Sequence, residues 1–237
     1  MDLSKISTHC TRTEFVGTAV LDTIGLVISG VHEDLLKEMN VGTKYRTLGL
    51  FSSRTGAAGQ LTAIDDAVKA SNTEILSIDF PRDTKGWGGH GNYVVLGGND
   101  VSDVRHAIQM ALELTNKYAG ELYISEAGHL EFAYSANAGS AIQKAFNAKP
   151  GQAFGFMAGS PAAIGLVMAD NAAKSAAVSI TQYMTPNIGT SHSNEVIIAI
   201  SGDASAVKAA VLEGRQTGLE LLIGMGTYPE IPGTPYL

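Results

Sequence analysis

The chain is poor in the residues that most directly advertise chemistry. It carries one cysteine, Cys10, in 237 residues. A lone thiol excludes an intramolecular disulfide and a cysteine-based zinc site, and it fits a reducing, cytoplasmic setting. Charged residues make up 16% of the chain, against about 25% in an average soluble protein. Bases are in deficit: 16 Lys and Arg face 23 Asp and Glu, and the net charge of −7 argues against nucleic acid as a partner. No apolar run reaches the roughly 20 residues that span a bilayer, so no membrane partner is expected. The opening MDLSKISTHCTRTE has no apolar stretch behind its lysine, so no secretory signal is expected either. Walker A, H-E-x-x-H and G-x-S-x-G sequences are all missing.

What is abundant is glycine, 27 residues of it, and a hydrophobic fraction of 45%, enough for real cores. The chain also says one thing twice. LGLFSSRTGAAGQLTAIDDAVKAS (48–71) returns as FGFMAGSPAAIGLVMADNAAKSA (154–176). HGNYVV (90–95) returns as HSNEVI (192–197), and GNDVSDVRHAI (98–108) as GDASAVKAAV (202–211), in the same order. A duplicated unit of about 100 residues follows, and it suits a building block better than an enzyme, which needs one asymmetric set of groups.

Periodicity places the elements. Residues 15–31 read as two short strands or one bent strand. HEDLLKEM (32–39) reads as a short helix with acids in its first turn. Strands are expected at 45–53, 74–80 and 92–98, and helices at 58–70, where Leu61, Ile64 and Val68 recur at helical spacing, and from about Asp100 to Lys117. The second half repeats the plan: strands 129–135, 152–158, 178–184 and 195–201, helices 137–147, 162–176 and 203–217. GELYISEAGH (120–129) reads as the join, and PEIPGTPYL with its three prolines as an extended tail. Each half is thus β-α-β-β-α behind a leading strand and helix. The fold class is α+β: two tandem ferredoxin-like domains, each an antiparallel sheet with helices on one side. The boundaries are a flexible arm 1–13, domain 1 at 14–120, domain 2 at 121–228 and the tail 229–237.

Few residues offer chemistry. GWGGHG (86–91) spells G-x-G-x-x-G, but a strand follows it where a dinucleotide site needs a helix N-terminus, so no cofactor is expected. His90 and His192 occupy matching places in the two halves. A metal or proton site is one reading; hydrogen bonding that organises the loop is the simpler one, since one histidine per repeat lacks the other ligands of a zinc site. SSRTGAAG (52–59) sits between a strand and a helix, where its hydroxyls and Arg54 either meet a small polar ligand or merely form a turn and cap. Asp65–Lys69 and Asp170–Lys174 are i, i+4 pairs, expected as surface or interface ion pairs rather than catalytic carboxylates. No catalytic or metal-binding residue is assigned.

GLVMADNAAKSAAVSITQY (165–183) followed by EVIIAISGDASAVKAAVLEG (195–214) resembles the bacterial microcompartment shell domain, the BMC domain; the first repeat matches it more loosely. Over 14–237 the chain is similar to tandem-domain shell proteins of the PduB and EtuB type, whose domains are circularly permuted. The resemblance implies a structural shell protein of a propanediol-, glycerol- or ethanol-utilisation compartment in the bacterial cytoplasm, assembled as a homotrimer that forms a pseudo-hexameric plate. It implies other shell proteins as partners at the plate edges, encapsulated enzymes as further partners, and passage of glycerol, diols, alcohols or aldehydes. The pore loops would hold Asp83, Lys85, Gly86, Trp87, Gly88, His90 and Asn92 in one half. In the other they would hold Asn187, Gly189, Thr190, His192 and Asn194. Ser52, Ser53, Arg54, Thr55 and Glu195 would line a channel between the domains. The rival reading is a sensory module of the same fold that binds a small regulator between its halves.

Overall fold

The computed structural model describes residues 13–81, 91–185, 194–226 and 228–237. The first half runs β1 (Thr13–Ala19), β2 (Thr23–Ser29), α1 (Glu33–Glu38), β3 (Thr47–Ser53), α2 (Ala58–Lys69), β4 (Thr73–Asp79), β5 (Asn92–Gly98) and α3 (Val101–Tyr118). The second runs β6 (Leu122–Ser125), β7 (Gly128–Ser135), α4 (Ser140–Phe146), β8 (Ala153–Ser160), α5 (Ala162–Ser175), β9 (Val178–Met184), β10 (Val196–Gly202) and α6 (Ala204–Gly224). Two five-stranded sheets result, in the orders β1-β2-β3-β5-β4 and β6-β7-β8-β10-β9, with every pairing antiparallel.

Two readings of the sequence change. The stretch read as a join contains β6, so the connection shrinks to a single 3₁₀ turn, Ala119–Glu121. The last helix runs seven residues further, to Gly224. Gly214 and Gly218, which lower helix propensity, are there because nothing larger fits: a Cβ on either would lie 2.5 Å from Met157 Sδ or Met168 Sδ. Tertiary packing overrides the local preference.

Strand alternation divides each sheet into two faces. In the first, Phe51, Val94 and Leu96 lie under α2 and α3, whereas Leu48 and Val95 meet Val31 and Leu36 of the α1 region on the opposite face. In the second, Phe132, Met157, Ile198 and Ile200 lie under α5 and α6. Its opposite face, with Ala133, Phe156, Ala158, Ile197 and Ala199, packs against α4 and against α2 of the first half in one continuous core. The domains therefore join head to tail: the helix layer of the first sits on the back of the second sheet. Caught between two layers, α2 is buried over most of its length, which accounts for its alanines.

The expected arm, 1–13, lies outside the described residues except for Thr13, which begins β1. The tail runs extended, bridged by Glu230 to Ile124.

Candidate functional site

The joint between the halves is where polar groups gather. Ser53 ends β3, and the chain turns through Gly56, at φ +73° a position suited to glycine, into α2. Ser52 Oγ donates to the Asn92 carbonyl at 2.8 Å. Asn92 Nδ2 donates to Ser53 Oγ at 2.6 Å and to the Gly56 carbonyl at 3.2 Å. Ser53 Oγ donates to the Thr55 carbonyl at 3.1 Å, and Gln60 Nε2 to the same oxygen at 2.9 Å. Ser52, Ser53, Thr55 and Asn92 thus meet in one turn, largely buried. Gln60 Oε1 and Asn92 Oδ1 are buried acceptors with no partner among the described residues. Arg54 instead lies exposed beside the β1–β2 turn, at a shallow cavity lined by residues 18–24.

The second domain answers from β7. Helix α2 has no side-chain cap and no acid in its first turn. Its N-terminus is met by Glu131, whose Oε1 accepts the N–H groups of Ala57 at 3.0 Å and Ala58 at 2.8 Å. The positive end of the helix dipole favours that carboxylate. Two positions along the same strand face, His129 Nε2 lies 3.0 Å from Glu195 Oε2, both groups buried. Glu195 therefore stands at the joint, reached through His129 and on the opposite domain from the Ser53 turn.

A reciprocal contact runs the other way. Asp65 of α2 is buried, and its carboxylate accepts N–H groups from Gly139, Ala141 and Ile142 at 2.8, 3.0 and 3.3 Å, at the start of α4. Lys69 Nζ lies 2.9 Å from Asp65 and donates to the Asn137 carbonyl at 2.7 Å. Each domain so supplies a carboxylate to a helix start in the other. The Asp170–Lys174 pair in α5 faces solvent.

The sequence motif H-x-N does not mark equivalent positions. Gly98 and Gly202 stand opposite the matching residues Thr47 and Ala153. On that register Asn92 begins its strand, whereas Asn194 falls two residues before its own. Asn194 Oδ1 caps α5 through the Ala162 N–H at 3.1 Å. Asp83, Lys85, Gly86, Trp87, Gly88, His90, Asn187, Gly189, Thr190 and His192 lie outside the described residues.

Glu131, His129 and Gln60 were missed by the sequence reading. HLEF (129–132) carried a signal for the first two: its alternation puts His and Glu on one face and Leu and Phe on the other, so a strand inside a hydrophobic chain shows a second, polar face. Gln60 sits in the first turn of α2 with no such mark.

Comparison with known proteins places the chain. The BMC domain model matches twice, at 47–127 and 153–230. Each match begins at the third strand of its sheet region or close to it, at β3 and β8, so matched segment and sheet are out of phase, as a circular permutation leaves them. The bacterial microcompartment shell protein PduB of Citrobacter freundii is 48% identical over 228 residues, covering 96% of this chain and 84% of that protein. The crystal structure of a trimeric PduB shell protein superposes with TM-score 0.91 at 43% identity, covering 94% of this chain and 99% of the other. EtuB from Clostridium kluyveri gives TM-score 0.92 at 46% identity, covering 96% and 100%. With its two permuted domains in tandem, the chain belongs to the BMC-domain family and is a bacterial microcompartment shell protein.

Proposed function

We propose that three copies of this chain close into a six-domain ring, a shell tile that passes small uncharged polar metabolites and performs no bond chemistry. The observation that carries this is the head-to-tail joint, whose two halves recur unfilled at the ends of the chain. Leu61 and Thr62 of α2 are each 1% exposed beneath the second sheet. Their repeat counterparts on α5, Leu166 and Val167, are 53% and 45% exposed. Ile180 and Tyr183 on the outer strand β9 are exposed as well, while β4 in the first half is covered by α4: Phe80 packs on Phe146, and Lys144 Nζ donates to the Leu76 carbonyl. On the receiving side, Ile24 and Leu26 stand where Glu131 and Ala133 stand in the second sheet, only half buried, with Leu35 of α1 exposed nearby. A surface of one kind at one end and its complement at the other makes a heterologous contact, which generates a ring when the rotation closes. The relative described as trimeric supports closure at three chains.

Passage follows from what lies inside each joint. The Ser53 turn, the acceptors Gln60 Oε1 and Asn92 Oδ1, and the His129–Glu195 pair make a polar seam between domains. Acceptors without donors suit hydroxyl-bearing neutral molecules such as glycerol, a diol or a short alcohol, and disfavour anions. Other shell proteins would meet the ring at its edges, and enclosed enzymes its inner face, in the bacterial cytoplasm. The sensory alternative finds no support among relatives of this identity.

Mass in solution tests the ring. Light scattering should give about 74 kDa, three times the 24.7 kDa chain, and Leu166→Asp with Val167→Asp should give single chains with unchanged far-UV circular dichroism. A wild-type protein that runs as one chain sinks the reading. Crystals soaked in glycerol test passage separately, through density in the seam.

A further inference from the structure

We propose that the cleft on the tail side of the inter-domain joint binds a small organic anion, through an anionic oxygen group held by Lys117 and Lys208. The cleft has a volume of about 520 Å³, in the range of small-molecule sites, and draws its walls from α2, α3, β7, α6 and the tail, so both domains build it.

Three ammonium groups, Lys69, Lys117 and Lys208, line the cleft together with the Asp66 carboxylate and the last residue, Leu237. That carboxylate is already engaged: it lies 3.2 Å from Lys69 Nζ and accepts the Tyr118 hydroxyl at 2.7 Å. Lys69 is satisfied in turn by Asp65 and the Asn137 carbonyl. Lys117 has only the ring of Tyr118, 5.1 Å away, and Lys208 makes no ion pair or hydrogen bond among the described residues. The repeat sharpens the contrast. Val104 and Val207 are matching buried residues, so Arg105 stands where Lys208 stands, and Arg105 is paired to Glu14 at 2.6 Å. Two lysines without an ion-pair partner thus line one concave site in a chain of net charge −7.

The site also has a fixed aromatic side. Tyr236 packs on Tyr118 with centroids 5.0 Å apart, and its hydroxyl accepts the Tyr134 N–H at 3.4 Å. A carboxylate or a phosphate ester with a short carbon body fits such a wall. The cleft shares no lining residue with the polar seam.

Calorimetric titration of the full chain with inorganic phosphate and, separately, with acetate tests this. At low salt at least one should saturate at one equivalent per chain, and which one binds identifies the preferred oxygen group. Lys117→Gln with Lys208→Gln should weaken that binding about tenfold or more. Lys37→Gln with Lys149→Gln removes the same charge from exposed positions elsewhere and should change it less than twofold. All four side chains are solvent-exposed, and unchanged circular dichroism confirms folding. Saturation by neither anion overturns the proposal, as does an equal loss in both double variants.

Discussion

Glu131→Ala should be among the costliest single changes in the chain, and its cost can be worked from the joint. Glu131 is 4% exposed, and one oxygen serves two buried donors, the N–H groups of Ala57 and Ala58. Both alanines are almost fully buried. An unsatisfied buried N–H costs about 1–3 kcal/mol, so removing the acceptor from two costs roughly 2–6 kcal/mol. Glu131→Gln keeps an oxygen in place and loses only the negative charge at a helix start, worth about 1 kcal/mol. In a protein of this size about 1 kcal/mol moves Tm by roughly 2–4 °C. Differential scanning calorimetry at fixed protein concentration should therefore show a fall of order 10 °C for Glu131→Ala and a few degrees for Glu131→Gln. Asp65→Ala removes the reciprocal contact, and because both carboxylates hold one joint, the double variant should lose at least about 1 kcal/mol less than the sum of the singles. Equal losses for Ala and Gln at position 131, or strict additivity with Asp65, would refute the view that crossed carboxylates lock the domains.

Two further outcomes follow from other buried groups. Glu121 is fully buried and accepts from Arg215 Nη1 at 3.0 Å and from the backbone of Tyr236 and Leu237 at 2.8 and 2.9 Å, so Glu121→Ala should free the tail, raising hydrogen exchange at residues 236–237 to unprotected rates while β7 stays protected. Protection unchanged at the tail would show that Glu121 does not hold it. Burial, with the neighbouring Glu121 carboxylate, pushes the Tyr123 phenol up to about 12, and burial with hydrogen bonding to Asp66 raises Tyr118 further still. A proton held more tightly in the folded state stabilises below the unfolded value near 10 and ceases to do so as pH climbs through the folded one. Absorbance at 295 nm and circular dichroism followed together from pH 9 to 13 should show these phenols ionising only above pH 10, with stability falling over the same window; a full complement of phenolates in a folded protein at pH 10.5 would contradict it.

Much of the fold was legible because it is local. Leu61, Ile64 and Val68 at helical spacing marked α2, and alternation marked the strands, since both signals arise within a few residues of chain. The duplication showed that one plan is used twice. Tight close approaches were less visible: the last helix, expected to stop at 217, runs on through Gly218, where Met168 occupies the space a side chain would need.

The joint was not legible, and the two D-x-x-x-K pairs show why. Asp65–Lys69 and Asp170–Lys174 have the same spacing on corresponding helices, and by sequence alone they are equivalent. One is buried against the start of α4 and organises the contact between domains, while the other faces solvent. Their spacing does not distinguish them. Sequence determined the repeat, its strands and helices, and the family, because these are written in spacing and residue type. Which copy of each surface is covered depends on where a segment about seventy residues away in the chain comes to rest, and that was decided only when the two sheets stacked.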